Sequence, residues 1–188
     1  MEIVSVNYNT PDYIDRLITS IRQYYDYPIR IIDGSTEPYR QQLKDISNNR
    51  NVSLNLFDYN IHHGRGLHHA ISTSTEDWVL CVDSEVQILQ GMFECFKLKK
   101  PLEGFCCNVD QHGMNTPVGG ITYLHPELLA VNVEWYNNQQ FKFIHHGAPA
   151  IVIMGGCSAD VKECMDEEHR KLYIRGGRGT VNRFGYNF

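Results

Sequence analysis

Trp78-Val79-Leu80-Cys81-Val82-Asp83-Ser84-Glu85 is the stretch that decides how this chain is read. The first five residues are an apolar run that reads as a buried strand. Two carboxylates, one residue apart, follow at its end. Successive strand residues point to opposite faces, so Asp83 and Glu85 converge on one spot if the backbone stays extended. Held together, they repel unless a positive charge sits between them. A hard divalent cation with oxygen ligands, carrying diphosphate oxygens on its other side, meets that need. The alternative is a plain polar turn, since Asp-Ser is common in turns.

Upstream of this stretch, strand and helix patterns alternate. Ile3-Val4-Ser5-Val6-Asn7 is a β-rich run closed by Tyr8-Asn9-Thr10-Pro11. Thr10 is placed to act as N-cap, with Pro11 at the first helical position and Asp12 in the first turn. Ile14, Leu17, Ile18 and Ile21 then supply an amphipathic stripe. Ile29–Asp33 reads as a second strand, Glu37–Ile46 as a helix, Val52–Phe57 as a third strand, Gly64–Ser72 as a helix and Asp77–Val82 as the fourth strand. Repeated β-α units of this length predict a parallel sheet with helices on both faces. Ligands of such sheets sit beyond the carboxyl ends of the strands, where Asn7, Asp33 and Asp83 all lie.

A chain of 188 residues suits a single domain spanning 1–188. The net charge of -5 argues against a dedicated nucleic-acid binder, which would carry a basic face. No apolar run approaches the roughly 18–20 residues that span a bilayer. Met1-Glu2-Ile3 enters a strand at once, so no signal peptide and a cytoplasmic setting are expected. The six cysteines have no repeating spacing, and Cys81, Cys95, Cys106 and Cys164 lie among apolar neighbours, which predicts buried free thiols.

Val4-Ser5-Val6-Asn7-Tyr8-Asn9-Thr10-Pro11, Ile31-Ile32-Asp33-Gly34-Ser35, Asn60-Ile61-His62-His63-Gly64-Arg65-Gly66 and Val82-Asp83-Ser84-Glu85 follow one another in this order. Together they resemble the nucleotide-binding half of A-type (GT-A) glycosyltransferases, most closely glycosyltransferase family 2. The family patterns are V-x-x-x-N-Y-N, V-D-[ND]-x-S, N-x-G-x-x-x-[AG]-x-N and D-x-D. The resemblance implies an α/β fold: a GT-A-type, Rossmann-like nucleotide-binding sandwich whose mostly parallel central sheet is flanked by helices. It divides the chain into a nucleotide-sugar half (1–90), an acceptor-side half (91–170) and a glycine-rich tail (171–188). Glu85 departs from the commoner Asp but still offers an oxygen ligand with longer reach. His68-His69 stand where the third pattern closes on Asn.

By that resemblance, Asn7, Tyr8, Asn9, Thr10 and Asp33 hold the nucleotide base and ribose. Asp33 would accept hydrogen bonds from ribose hydroxyls or the uracil N–H, and Tyr8 would stack on the base. Gly64 and Arg65, near a helix start, would face phosphate or sugar, although glycines that only make a turn before the helix explain that segment equally well. Asp83 and Ser84 would touch ribose or metal, and Asp83 with Glu85 would bind the metal, Mn2+ or Mg2+, that clamps the diphosphate. Near the C-terminus, Arg175 stands where some members complete the metal site with His, so no ligand is assigned there.

The second half is expected to hold a strand over Val118–Leu124, a short helical or turn piece over His125–Leu129, a buried strand over Ala150–Met154 and a charged helix over Ala159–His169. Asp160, near the start of that helix, is the candidate general base. Histidine pairs such as His62-His63 and His68-His69 lack the spacing of a tetrahedral zinc site, so most are read as satisfied, non-functional residues. His145 and His146 are better placed for acceptor-side or metal contacts. The resulting expectation is a metal-dependent transferase moving a sugar from a nucleotide-diphosphate donor, UDP-linked, to a saccharide or other hydroxyl acceptor. One alternative is a module that binds nucleotide sugar with little or no turnover. Another is a nucleotidyltransferase, against which stands the lack of a glycine-rich loop after the first strand.

Overall fold

A computed structural model of the chain describes residues 1–109 and 121–138. Its order is β1 (Glu2–Asn7), α1 (Pro11–Tyr24), β2 (Ile29–Asp33), α2 (Tyr39–Ser47), β3 (Val52–Leu56), α3 (His63–Ser72), β4 (Trp78–Val82), a 3-10 turn at Phe93–Cys95, β5 (Leu102–Val109), β6 (Ile121–Asn132) and α4 (Val133–Asn138). The six strands form one sheet in the order β3-β2-β1-β4-β6-β5. The pairs β3-β2, β2-β1 and β1-β4 are parallel, and β6 runs antiparallel to both β4 and β5. The mostly parallel α/β sheet expected from the repeated units is therefore present, with an antiparallel extension on one side.

Alternation along the strands sends side chains to two separate cores. Ile3, Ile31 and Leu80 meet the α1 stripe of Ile14, Leu17, Ile18 and Ile21, every one of them fully buried. Val4, Ile32 and Cys81 face the other way, onto Leu67, Ala70 and Ile71 of α3 and Tyr136 of α4. Each fully buried Ile or Leu contributes about 1.5–3 kcal/mol, so the two helical layers hold the sheet from both sides. Arg30 ties α3 down further, donating to Ala70 O, Thr73 Oγ1 and Glu2 Oε2.

Several local expectations need correction. Pro11 does open α1, Asp12 lies in its first turn and Thr10 is the N-cap residue, but the Thr10 side chain makes no capping hydrogen bond. Its hydroxyl donates instead to Asn7 Oδ1 at 2.7 Å. His125–Leu129 is not helical or a turn: it lies inside β6, which pairs Val82 with Leu128 and Val79 with Val131. Pro126 cannot donate to a ladder. The ladder accommodates it by a register shift between Gly104 and Cys106 of β5. Cys81 is buried and free as expected, whereas Cys95 is free but exposed. The predicted strand at Ala150–Met154, the helix at Ala159–His169 and the glycine-rich tail lie outside the described residues.

The segment between β4 and β5 is anchored by one carboxylate. Glu103 accepts the N–H groups of Lys97, Leu98, Lys99 and Lys100 at 2.7–3.0 Å. Leu98 takes a left-handed φ of 51° to close this ring of donors. No helix among the described residues is long and apolar enough to cross a membrane.

Candidate active site

The sheet order places β2 on one side of β1 and β4 on the other, so the chain switches direction between β1 and β4. In an open α/β sheet that switch point leaves a crevice beyond the carboxyl ends. A cavity of about 320 Å³ lies there. Asn7 and Tyr8 line it from the end of β1, and Asp83, Ser84 and Glu85 from the end of β4. Asn60, His62 and His63, in the approach to α3, complete the wall.

Of the two backbones open to the acidic triplet, extended or turned, the structure has the turn. Val86 N donates to Asp83 O at 3.1 Å, closing a turn with Ser84 and Glu85 at its centre. Asp and Ser favour this geometry because their short side chains suit turn backbones. Asp83 N donates to Glu127 O of β6 at 3.0 Å, which pins the start of the turn. The two carboxylates still share the cavity, with Glu85 the more exposed. A second cavity of about 470 Å³ lies between α1 and the segment after β4, and also takes Ser84 and Glu85 into its wall.

On the opposite wall, polar side chains bind the loop after β1 to the loop after β2. Asn7 Nδ2 donates to Asp33 Oδ1 at 2.8 Å and to Ser35 Oγ at 3.1 Å. Ser35 Oγ donates to Asp33 Oδ1 at 2.5 Å and accepts from Asn9 N at 2.7 Å. Asn9, at φ 59°, accepts from Thr36 N through its side chain. Asparagine tolerates this left-handed backbone better than bulkier residues. The folded-over loop leaves Tyr8 44% exposed at the mouth of the cavity. Asp33 itself is fully buried; its Oδ2 accepts no hydrogen bond but is ion-paired with Arg40 Nε at 3.9 Å.

Two glycines set the approach of α3. A Cβ on Gly34 would lie 2.5 Å from Tyr59 O, so the loop carrying Asn60 packs directly on the backbone there. A Cβ on Gly66 would come within 2.8 Å of a Val6 methyl, so α3 sits hard against β1. His62 precedes the helix at φ 62° and ψ 155°, a region nearly exclusive to glycine. Its N–H donates to Asn60 Oδ1 and its carbonyl accepts Gly66 N–H, both at 2.9 Å. His63 then begins α3, with Nε2 3.0 Å from Asp83 Oδ1.

The sequence model of glycosyl transferase family 2 matches residues 2–159. The chain belongs to that family. Its fold is also that of solved GT-A glycosyltransferases. Residues 1–349 of Staphylococcus aureus TarS superpose with a TM-score of 0.64 at 14% identity, covering 98% of this chain and 72% of that one. The mannosyltransferase PcManGT of Pyrobaculum calidifontis, solved in complex with GDP-Man and Mn2+, gives 0.60 at 13% identity, covering 97% and 67%. Identities this low speak to the fold alone. No curated protein matches the chain in sequence. As a glycosyltransferase of family 2, the protein belongs to a class that takes nucleotide-sugar donors.

Of the residues singled out from sequence, the fold gathers Asn7, Tyr8, Asp83, Ser84 and Glu85 around one cavity. Asn9, Thr10 and Asp33 lie behind its wall, joined to Asn7 directly or through Ser35. Gly64 is buried in the first turn of α3, and Arg65 is exposed and off the cavity wall. Asp160, His145, His146 and Arg175 lie outside the described residues. His62 and His63 are what sequence reading missed. His62 stands at the glycine of the N-x-G-x-x-x-[AG]-x-N pattern, and that mismatch was a signal of its unusual backbone. His68 is satisfied as expected, with Nδ1 3.0 Å from Tyr136 OH, whereas His69 Nε2 is buried without a hydrogen-bond partner and burial, then Arg30, lower the His69 pKa.

The donor set suits a hard divalent cation. Among the described residues no group of three metal-ligating side chains comes together. Two carboxylates suffice where phosphate oxygens and water fill the remaining positions, as is usual for Mg2+-type nucleotide sites.

Proposed function

We propose that the protein moves a sugar from a nucleoside-diphosphate donor, UDP-linked, to a saccharide or other hydroxyl acceptor, with Mn2+ or Mg2+ at Asp83 and Glu85. One observation carries this reading: Asn7 and Tyr8 share a single cavity with Asp83, Ser84 and Glu85 at the switch point of the sheet. Tyr8 offers an exposed ring for a base, with the buried network behind Asn7 fixing its loop. Asp33, fully buried behind the cavity wall with Oδ2 beside Arg40, acts on the donor through Asn7, whose amide it holds. A cation bound by the carboxylates supplies Lewis-acid stabilisation to the departing diphosphate. Asp160 is our candidate base, and residues 91–170 are the proposed acceptor side.

A donor screen tests the proposal. UDP, GDP, CMP and dTDP sugars are incubated with the protein and manganese, and the released nucleotide is measured. Manganese-dependent release of UDP supports the full reading. Release of GDP instead would move the base assignment and keep the transfer. Donor binding by calorimetry without any release would replace the transferase by a binding module.

A further inference from the structure

The proposed function gives no role to the contact between His63 and Asp83. Nε2 of His63 lies 3.0 Å from Asp83 Oδ1, and the two side chains are 28% and 18% exposed. The backbone of Asp83 is already fixed at both ends, by Glu127 O and by Val86 N. Rotation of its carboxylate is the freedom that remains, and the imidazole restrains it.

The imidazole is itself held at some cost. Asn60 Oδ1 takes the His62 N–H, and Gly66 lets α3 close onto Val6, which carries the first residue of the helix toward the end of β4. His62 keeps a backbone conformation that is strained in a non-glycine residue. Strain of this kind persists where the surroundings enforce it, and it clusters at functional sites. Here it lies one residue before the histidine that reaches the acidic turn.

We infer that His63 is a positioning residue: it holds Asp83 through Oδ1 and keeps the carboxylate oriented for the divalent cation of the donor complex. The inference rests on the cation reading under Proposed function. Partners of this kind fix ligand orientation, and their loss costs roughly 10–100-fold in metal affinity. Gln reproduces an N–H at the reach of Nε2, whereas Asn draws it back out of range and Ala removes it.

The test is calorimetry of UDP binding with and without manganese, with GDP run alongside, on the wild type and on His63→Ala, His63→Asn and His63→Gln. The expected result is a manganese-dependent gain in affinity that falls about tenfold in His63→Ala and His63→Asn and returns in His63→Gln. Metal-free affinity stays constant throughout. A full gain in His63→Ala, an equal loss with and without manganese, or a His63→Gln variant as weak as alanine overturns the positioning role. If His63→Ala does not fold, His63→Asn and His63→Gln decide between these results. A wild type without any manganese-dependent gain overturns the cation reading itself, a failure distinct from the others.

Discussion

Asn7 and Asp33 are register partners at the carboxyl ends of two parallel strands, and the Asn7 amide donates to Asp33 Oδ1 at 2.8 Å. With Ser35 donating to the same oxygen, this pair locks the first two loops of the sheet into one unit. The unit stands behind Tyr8 and determines where that ring can lie.

Asp33→Ala leaves the buried Asn7 amide short of a partner and removes the acceptor of Ser35. Unsatisfied buried groups cost about 1–3 kcal/mol each, so urea unfolding is expected to record a clear loss of stability together with weaker donor binding. A carboxylate that only touched the donor would leave the unfolding midpoint where it was.

Asp83→Ala and Glu85→Ala are each expected to abolish the manganese-dependent part of nucleotide affinity, read by calorimetry. Neither side chain is buried in a core, so both variants fold. Undiminished manganese dependence in both would remove the metal assignment.

Glu103 makes acid stability measurable. Burial alone would raise its pKa, but the four backbone N–H groups outweigh burial and hold it below the ordinary value. A carboxylate depressed in the folded state stabilises fully above its unfolded pKa of about 4.3. That contribution is lost as pH falls through the lower folded value. Glu103→Gln is expected to cost about 1–3 kcal/mol at neutral pH and to flatten the loss of stability below about pH 4. Urea titrations across that range give both quantities.

Gly66→Ala would press a methyl against both Val6 methyls, at 2.8 and 2.9 Å. Overpacking at such a contact costs about 1–3 kcal/mol. Val6→Ala in the same chain is expected to return part of that loss, a coupling that a double-mutant cycle measures directly. Strictly additive losses would show that the helix does not rest on Val6.

The parallel part of the sheet was legible because its information is local. The α1 stripe and the apolar runs of β1, β2 and β4 each fit within a few residues, and their ends put Asn7, Asp33 and Asp83 on one rim. Contacts between distant segments were not legible. Nothing near Asp83 announces that His63 will meet it, since that pairing depends on Gly66 closing onto Val6. His125–Leu129 read as a helical or turn piece because its place in β6 depends on pairing with β4, and on a register shift in β5, both distant in sequence. The acidic triplet could be read either way, extended by continuity with β4 or turned by Asp-Ser, and the turn preference prevailed.

Strand β6 has a consequence for any dissection of the chain. It comes late in the sequence yet pairs with β4 from Trp78 to Val82 and receives the amide of Asp83. A fragment cut after residue 90 would retain every donor-side motif but leave β4 with an open, apolar rim of unpaired amides and carbonyls. Such a rim recruits strands from other molecules. The proposed donor-side residues are thus a segment in sequence only, and the turn that holds Asp83 is completed by a strand from the second half of the chain.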